Sequence, residues 1–401
     1  MAATQSPLDH AKTPPPIDVR QLGPWVASTT GKSLSVQRRE MRALWHSIGM
    51  LTEAEYYYYG LYDDTRFSAA DKARFIGLEA QNRILTQCTD RMWWGLLHDK
   101  LVFQHVLQGD GIAMPRIEAT YHRTRTFPGA VSLPTQDDLA RFLRAEARYP
   151  LFGKPFDGMF SVGTARFDGY DGRTDRVSLH AGDPVPVAAL TQELTRYAAR
   201  GYLFQEVKHP EDTLRAMCGD RLACLRVVVM LDGDRPEVFR ALLKVPTGAH
   251  VADNFWRTGN MLANVDIGTG RIIRVVTGVG PEHREVDRHP DTGQVMVDRT
   301  IPRWDAVTRL CLELAPRFPW IRMQAWDIAV CPEGPVVVEA NVLGDFNLPQ
   351  LATGAGILDG RFARFLAASG YSDRTKLAKA ADLVVPAPMR RLVGALRLAL
   401  H

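Results

Sequence analysis

Two carboxylates and one amide in the C-terminal part of the chain could together bind a divalent cation. Asp327 lies twelve residues before Glu339, with the turn sequence 332–335 between them. If the flanking segments pair as a hairpin, the two carboxylates come within reach across the turn. Glu339 and Asn341 are two residues apart, so their side chains leave the same face of a strand. This all-oxygen set suits Mg²⁺, with Mn²⁺ as an alternative. The competing interpretation is that these side chains are simply solvated at strand ends.

A lysine beside a glycine-containing loop is the second indication of chemistry. Lys154 follows a short apolar segment and precedes Pro155 and a loop that contains Gly158 and Gly163. Glycines let a backbone close over phosphates, and lysine supplies a positive charge for them. We therefore expect Lys154 to contact phosphates and residues 156–163 to form a lid. The spacing is not that of a Walker P-loop, so an ordinary lysine at a strand end remains the alternative.

Three further positions could bind a nucleotide where a strand ends at a boundary between lobes. Gln205, Glu206 and Val207 end an apolar segment, and their backbone groups, together with the Glu206 carboxylate, could hydrogen-bond a purine and a ribose. An ordinary strand end has the same pattern.

Two basic residues interrupt otherwise apolar strands. Arg226 lies within residues 224–229 and Lys244 within residues 242–245. A cation in such a strand needs an anionic partner if its face is buried. The alternative is that both lie on an exposed edge.

The elements that must position these residues alternate between helices and strands. The periodicity predicts an irregular arm over residues 1–24 and an α+β fold with antiparallel strand groups in more than one lobe. Predicted helices cover 36–60, 71–85, 100–109, 137–149, 187–200, 304–317 and 361–369. Predicted strands cover 151–155, 202–207, 224–231, 238–245, 271–276, 323–330 and 336–341.

Length and composition exclude several classes of protein. The 401 residues are 46% hydrophobic and 23% charged, which excludes collagen-like, coiled-coil and wholly disordered chains. No apolar run reaches the length of a membrane-spanning helix, and the first residues lack the apolar segment of a secretory signal, so we expect a cytoplasmic protein. Five cysteines without a CxxC pair predict buried thiols, with neither a disulfide framework nor a structural zinc site.

The net charge of +4 is too small to indicate a nucleic-acid-binding protein, but its location is informative. Residues 372–401 contain six Lys or Arg and two Asp, so they account for the whole excess. Within them, residues 389–400 have the pattern of an amphipathic helix. This helix either packs on the catalytic lobe or docks on an acidic partner or an anionic membrane surface. The sequence does not indicate an oligomeric state.

In this order, the motifs resemble those of the ATP-grasp superfamily, and more narrowly its sugar-transfer-associated branch. The resemblance extends from about Lys100 to Gly356, and its most specific part is the Asp327…Glu339-x-Asn341 set. It implies a nucleotide held between two α+β lobes, with a helical N-terminal region. The residue roles that it implies are nucleotide binding by Lys100, Lys154, Gly158, Gly163, Gln205, Glu206 and Val207, catalysis by Arg226 and Lys244, and magnesium binding by Asp327, Glu339 and Asn341.

The same resemblance implies an activity and a division of the chain. The activity is that of an ATP-dependent ligase that joins a small-molecule carboxylate to an amine through an acyl phosphate, in polysaccharide or secondary-metabolite biosynthesis. A kinase-like phosphotransferase and a non-catalytic nucleotide-binding scaffold are the alternatives. The expected divisions are an arm and helical region (1–98), a pre-ATP-grasp segment (99–130), a lid subdomain (131–208), a catalytic metal-binding subdomain (209–371) and a basic tail (372–401). After Asn341 the chain departs from the proline-glycine turn that is frequent in the family, so the acceptor-side loop is not transferred.

Overall fold

The described part of the N-terminal region consists of short helices joined by irregular segments. A computed structural model describes residues 18–158, 161–342 and 344–371. The first helices are α1 Val19–Thr30, α2 Leu34–Trp45, α3 Glu53–Tyr58, α4 Ala69–Lys72 and α5 Leu78–Cys88. The predicted irregular arm is wrong from Asp18 onward, because Asp18 accepts a hydrogen bond from the Arg20 N–H and caps α1, which contains Pro24.

Both long helices predicted for this region are broken. The prediction over 36–60 fails because Thr52 and Glu55 form a capping box that starts a new helix, α3, after an irregular segment. The prediction over 71–85 fails because α4 ends at Lys72 and α5 begins after Gly77. Two more helices, α6 Trp94–His98 and α7 Lys100–Gly109, follow, and α7 has the bounds that the sequence predicts.

The first sheet has seven strands in the order β2-β1-β7-β3-β4-β5-β6. Its neighbours are antiparallel except β1 and β2. Gly201 precedes β7 with φ of 97°, and a side chain there would come within 2.1 Å of the Phe156 ring, so both its backbone and its packing require glycine. The strands are β1 Ile117–Tyr121, β2 Val131–Leu133, β3 Leu151–Pro155, β4 Ala165–Asp171, β5 Arg176–Leu179, β6 Val185–Pro186 and β7 Tyr202–Glu206, and the helices α8 Gln136–Arg141 and α9 Val187–Leu194 pack on them.

The second sheet is antiparallel throughout, in the order β12-β11-β10-β9-β8-β13-β14. Its strands are β8 Cys224–Asp232, β9 Arg235–Val245, β10 Met261–Val265, β11 Ile272–Thr277, β12 Arg284–Glu285, β13 Met323–Cys331 and β14 Gly334–Asn341. The remaining helices are α10 Asp212–Cys218, α11 Trp304–Leu314, α12 Asn347–Thr353 and α13 Gly360–Ala368. The two sheets and the helical N-terminal region confirm the predicted α+β class.

Alternate residues of the second sheet pack against different sets of helices. On one face, residues such as Val227 and Trp326 join the core formed with α7, α10 and α11. On the other face, Val228 packs with α5 and α13, while Leu262 packs with α12 and the buried tyrosines 56–59. The tyrosines are therefore part of the core. Arg226, Lys244 and Asp327 belong by alternation to this second face, where the helices leave a cavity.

Buried amide side chains join the N-terminal helices to α12. Gln350 donates from Nε2 to the Ile76 carbonyl (2.9 Å) and to the Tyr59 hydroxyl (3.0 Å), and its Oε1 accepts from the Ile76 N–H (2.7 Å). Gln81 accepts from the Phe346 N–H (2.5 Å). Because these groups are buried, separating the elements would leave polar atoms without partners.

Two further expectations concern cysteines and membrane segments. All five cysteines are free and buried, as predicted. Within the described residues, no helix combines the length and the apolar character needed to cross a membrane. The predicted amphipathic segment 389–400 lies outside the described residues.

Candidate active site

A cavity of about 320 Å³ lies between the two sheets, with β3 and β7 on one side and β8, β9, β13 and β14 on the other. It gathers most of the residues that the sequence singles out. Those that line it are Lys100, Lys154, Gly158, Gln205, Glu206, Val207, Arg226, Lys244, Asp327, Glu339 and Asn341. Gly163, although described, does not line it.

The β13–β14 hairpin brings the predicted oxygen ligands together. Asp327 and Glu339 are directly opposite in the antiparallel register, and Ala325 is opposite Asn341. A bulge follows the Asp327–Glu339 pair, because Ile328 pairs with Val337. The predicted pairing across the turn is thus confirmed, and the two carboxylates share a face of the sheet.

Asp327 is at the centre of a buried ion-pair cluster. Arg226 binds it in a bidentate manner, with Nε and a terminal nitrogen at 2.7 and 2.8 Å, and Lys244 Nζ lies 2.9 Å away. The Asp327 side chain is 2% exposed, and Arg226 and Lys244 are buried as well. An exposed edge is therefore the wrong interpretation for these two basic residues.

The charges within the cluster determine the protonation of its members. Burial alone would raise the pKa of Asp327, but the positive charges of Arg226 and Lys244 outweigh it and hold this pKa below its usual range. Burial acts to lower the pKa of Lys244, yet Asp253 and Asp327 raise it overall. All three side chains of the cluster are charged at neutral pH.

Asp253 lines the cavity, and its role was not predicted from the sequence, although it lies between Lys100 and Gly356, where the chain resembles the ATP-grasp superfamily. Its carboxylate accepts hydrogen bonds from the Cys224 N–H (2.9 Å) and from Lys244 (3.2 Å). Asp253 thereby fixes the lysine that also contacts Asp327. The contact between Asp253 and Lys244 could not be predicted from the sequence, because Asp253 lies in the loop between β9 and β10 and only the tertiary fold brings it to the lysine.

Lys154 is buried in the cavity without a partner. Its side chain is 7% exposed, and it forms no hydrogen bond or ion pair with any described residue. Burial lowers the pKa of Lys154 to about 8, although the negative charge of Glu339 partly opposes this effect. An unpaired ammonium is costly to bury, so this site favours an anionic ligand.

Lys100 and the two glycines of the predicted lid have different surroundings. Lys100 Nζ donates to the Gly158 carbonyl (2.5 Å), which ties α7 to the loop. Gly163 has φ of 74°, and a Cβ there would lie 2.1 Å from the Tyr197 hydroxyl. Gly163 therefore serves a packed turn and is not itself part of the cavity lining. Residues 159 and 160 of the predicted lid lie outside the described residues.

At the end of β7, the side chain of Glu206 already has protein partners. Its Oε1 accepts from the Arg116 N–H (2.9 Å) and lies 2.9 Å from Lys208 Nζ. Gln205 is buried, and its Oε1 has no hydrogen-bond partner among the described residues. Contact of Gln205, Glu206 and Val207 with a nucleotide stays a prediction, and their place on the cavity wall is consistent with it.

A family model described as sugar-transfer associated ATP-grasp matches residues 190–364. We refer to residues 190–364, which are similar to this family, as the ATP-grasp segment. The match covers under half of the chain and includes β7, the ion-pair cluster and the hairpin. The resemblance expected from the sequence is confirmed there. Lys100 and Lys154 lie before the matched segment and reach the same cavity from α7 and β3.

Several solved structures are similar to the chain at low identity. An L-amino acid ligase from Bacillus licheniformis is 12% identical, with a TM-score of 0.33, and the match covers 64% of this chain and 43% of that one. The VanG D-Ala:D-Ser ligase from Enterococcus faecalis is 14% identical, with a TM-score of 0.37 and coverage of 69% and 64%. A D-alanine–D-alanine ligase from Bacillus anthracis complexed with ATP is 12% identical, with a TM-score of 0.36 and coverage of 71% and 70%.

The chain thus spans less than two thirds of the first two of these ligases. Similarities of this size do not bear on the reaction of the present chain. No curated protein sequence matches it.

The oxygen ligands of the ATP-grasp segment fit a magnesium ion. Asn341 directs its amide nitrogen towards Glu339 Oε1 (3.5 Å), which leaves its carbonyl oxygen for a ligand. Asp327 has most of its lone pairs engaged by Arg226 and Lys244, so Glu339 and Asn341 would be the principal protein ligands. Magnesium usually takes one or two carboxylates and completes its shell with phosphate oxygens and water. In the described part of the chain, no three His, Cys, Asp or Glu residues form a group that could hold a metal.

Proposed function

We propose that this protein is an ATP-dependent ligase that joins a carboxylate to an amine. The observation that carries the proposal is the cavity between the two sheets. The unpaired ammonium of Lys154 and the Asp327–Glu339 pair of the hairpin line this same cavity, and the hairpin belongs to the ATP-grasp segment. Phosphoryl transfer from ATP requires a positively charged group that binds the phosphates and oxygen ligands that bind Mg²⁺, both within one enclosed cavity. The description of the family as sugar-transfer associated supports a role in polysaccharide biosynthesis, whereas a role in secondary-metabolite biosynthesis stays an alternative.

The residues of the chain have separable tasks in this reaction. Lys154 would bind phosphate oxygens, and Lys100 would hold the loop at Gly158 against them. Arg226 and Lys244 would offset negative charge on the phosphoryl group while they keep Asp327 ionised. Mg²⁺, held by Glu339 and Asn341 with a remaining lone pair of Asp327, would neutralise charge on the phosphates.

The proposed reaction has two bond-forming steps. A carboxylate oxygen of the substrate attacks the γ-phosphorus of ATP, the bond to ADP breaks, and an acyl phosphate results. The amine nitrogen then attacks the acyl carbon, the carbon–oxygen bond to phosphate breaks, and an amide and phosphate are released with a proton. Enclosure in the cavity keeps water from the acyl phosphate, which water would hydrolyse.

A product assay tests the proposal. The full chain with ATP and Mg²⁺ is screened against pairs of carboxylates and amines, and ADP and phosphate should appear only when both substrates are present. Hydroxylamine in place of the amine should trap the acyl phosphate as a hydroxamate. A product that retains the phosphate would instead identify a phosphotransferase, and tight ATP binding without turnover on any pair would indicate a scaffold.

The depressed pKa of Lys154 predicts a pH-dependent affinity for ATP. Since this pKa is about 8 without a ligand, the ammonium is mostly charged at pH 7 and mostly neutral at pH 9. Phosphate binding favours the charged form, so above pH 8 ATP binding should weaken with rising pH and take up about one proton per ATP at pH 9. Calorimetry in two buffers that differ in ionisation enthalpy measures this uptake directly.

Two variants at this position separate charge from structure. Lys154→Ala should weaken ATP binding at least tenfold at pH 7, a loss of about 1.4 kcal/mol. Lys154→Arg keeps a charge at all these pH values, so it should abolish the proton uptake at pH 9 while retaining more affinity than the alanine variant. Unchanged affinity in Lys154→Ala would remove this lysine from the nucleotide site.

A further inference from the structure

The cavity has a third wall that neither sheet supplies. It is formed by α5 and α6 of the N-terminal region, by the loop 251–256, and by residues 344–348 after the hairpin. We call the residues of these four segments that line the cavity the acceptor wall. Its loop and its last segment are joined by a hydrogen bond from Trp256 Nε1 to the Asp345 carboxylate (3.3 Å). This wall lies where the sequence departs from the proline-glycine turn that is frequent in the family, so its chemistry has to be read from this chain.

Asp345 is the feature of the acceptor wall that needs a ligand. It is half-buried, and no described Lys, Arg or His forms an ion pair with it. Burial raises the pKa of Asp345, and Arg226, which lies near enough to oppose this effect, is itself engaged by Asp327. A carboxylate held in a cavity without a cation is costly unless a ligand supplies the positive charge.

Besides Trp256, the backbone and the side chain of Asn347 stabilise the charged form of Asp345 by hydrogen bonding, but no described cation forms an ion pair with it. Beside it, Tyr58 packs against Trp256 with ring centroids 6.0 Å apart, and the Tyr58 hydroxyl is buried without a hydrogen-bond partner among the described residues. Phe255 and Leu348 also contribute apolar surface to the cavity. In such surroundings a charge–charge contact is worth more than at an exposed position.

The charges along the acceptor wall indicate which kind of molecule fits. Its described residues include two carboxylates, Asp253 and Asp345, and no Lys or Arg. Asp253 is neutralised by Lys244, which leaves the charge of Asp345 available. His98 is the one titratable base on this wall among the described residues, and burial, with the nearby charge of Lys100, lowers its pKa and so keeps it neutral. An amino acid would bring a carboxylate to a wall that offers it no cation.

We propose that Asp345 binds the ammonium group of the acceptor substrate, and that this acceptor is an amine without a carboxylate beside its amino group, such as an amino sugar. The inference rests on the proposed ligase function, which it deepens by naming the class of amine. An independent observation supports ligand binding in the same cavity, since the buried ammonium of Lys154 has no hydrogen-bond or ion-pair partner among the described residues.

The test uses three related probes and a matched pair of variants. D-glucosamine, N-acetyl-D-glucosamine and D-glucosaminic acid differ in having a free ammonium, none, or an ammonium beside a carboxylate. Their binding to the full chain, saturated with a non-hydrolysable ATP analogue and Mg²⁺, is measured by saturation-transfer NMR titration. Asp345→Asn removes the charge but retains an oxygen for Trp256, and asparagine tolerates the φ of 37° at this position. The control is Asp298→Asn, which also has a positive φ (66°) but has an exposed side chain.

We expect glucosamine to bind at least tenfold more tightly than either other probe, and Asp345→Asn to weaken its binding at least tenfold. Asp298→Asn should leave its binding unchanged. Equal binding of all three probes, preference for glucosaminic acid, no effect of Asp345→Asn, or no binding of glucosamine would each overturn the inference. Affinity for the ATP analogue, measured on the same samples, should not change in Asp345→Asn. If the unmodified protein does not bind the ATP analogue, the proposed ligase function is contradicted. A failure of that function can therefore be distinguished from a failure of the inference about Asp345.

Discussion

Glu339→Ala should reduce turnover at least about 100-fold while the protein remains folded. Glu339 is the half-buried carboxylate of the hairpin that is free to coordinate a cation, because Asp327 is engaged by Arg226 and Lys244. A metal ion that offsets charge on the phosphates contributes several kcal/mol to the stability of the transition state, and about 2.7 kcal/mol corresponds to that factor. Turnover is measured as ADP release with the substrate pair found in the screen, and folding by circular dichroism and thermal melting.

The control for this experiment is Glu313→Ala, which removes a glutamate from the exposed side of α11. It should leave both turnover and melting unchanged. Glu339→Gln, which keeps the shape of the side chain, should lose as much activity as the alanine variant if charge is what matters. Full activity in Glu339→Ala would show that this residue is not a metal ligand.

Asp327→Ala should destabilise the fold by about 3–5 kcal/mol, in addition to any effect on catalysis. The substitution would leave Arg226 and Lys244 as two buried cations, of which only Lys244 retains a carboxylate partner, Asp253. The free energy of unfolding is measured by urea denaturation, and Glu313→Ala again provides a control that removes an exposed carboxylate.

The double variant Asp327→Ala with Arg226→Met distinguishes this cause from a simple loss of packing. It removes the unpaired guanidinium, while Lys244 still contacts Asp253, so the double variant should be more stable than Asp327→Ala alone. If the two substitutions instead destabilise additively, the cost does not come from an uncompensated charge, and the account of the cluster given above is wrong.

Local patterns in the sequence predicted much of the second sheet and its hairpin. The spacing of twelve residues and the turn sequence 332–335 predicted that Asp327 and Glu339 lie close together across a hairpin, and the register confirms it. The same rules failed for the N-terminal helices, where periodicity continued across the irregular segment that ends at the Thr52 capping box. Position within a continuous periodic pattern does not show where one helix stops and a new cap begins.

The rest of the site depends on contacts that no local pattern encodes. The pairing of Arg226 with Asp327 joins residues about one hundred positions apart, and either burial or an exposed edge agreed with their sequences. Gly163 lies in a glycine-containing loop of the kind that binds phosphates. In the folded chain, however, the side chain of Tyr197 occupies the space beside Gly163. The acceptor wall could not be predicted because its four segments meet only in the folded chain, through contacts such as that between Trp256 and Asp345.

The hydrogen bonds between Gln350 and Ile76 determine how far the chain can be truncated from its N-terminus. The residues that match the ATP-grasp family begin at position 190, but the back of their sheet is covered by helices that come before residue 90. Without those helices, Val228 and Leu262 would be covered only by α13 and α12 and would be partly exposed to water, and the amide of Gln350 would lose its hydrogen bonds with Ile76 and Tyr59. We therefore expect that residues 190–364 alone do not fold autonomously and that a polypeptide shortened to them aggregates.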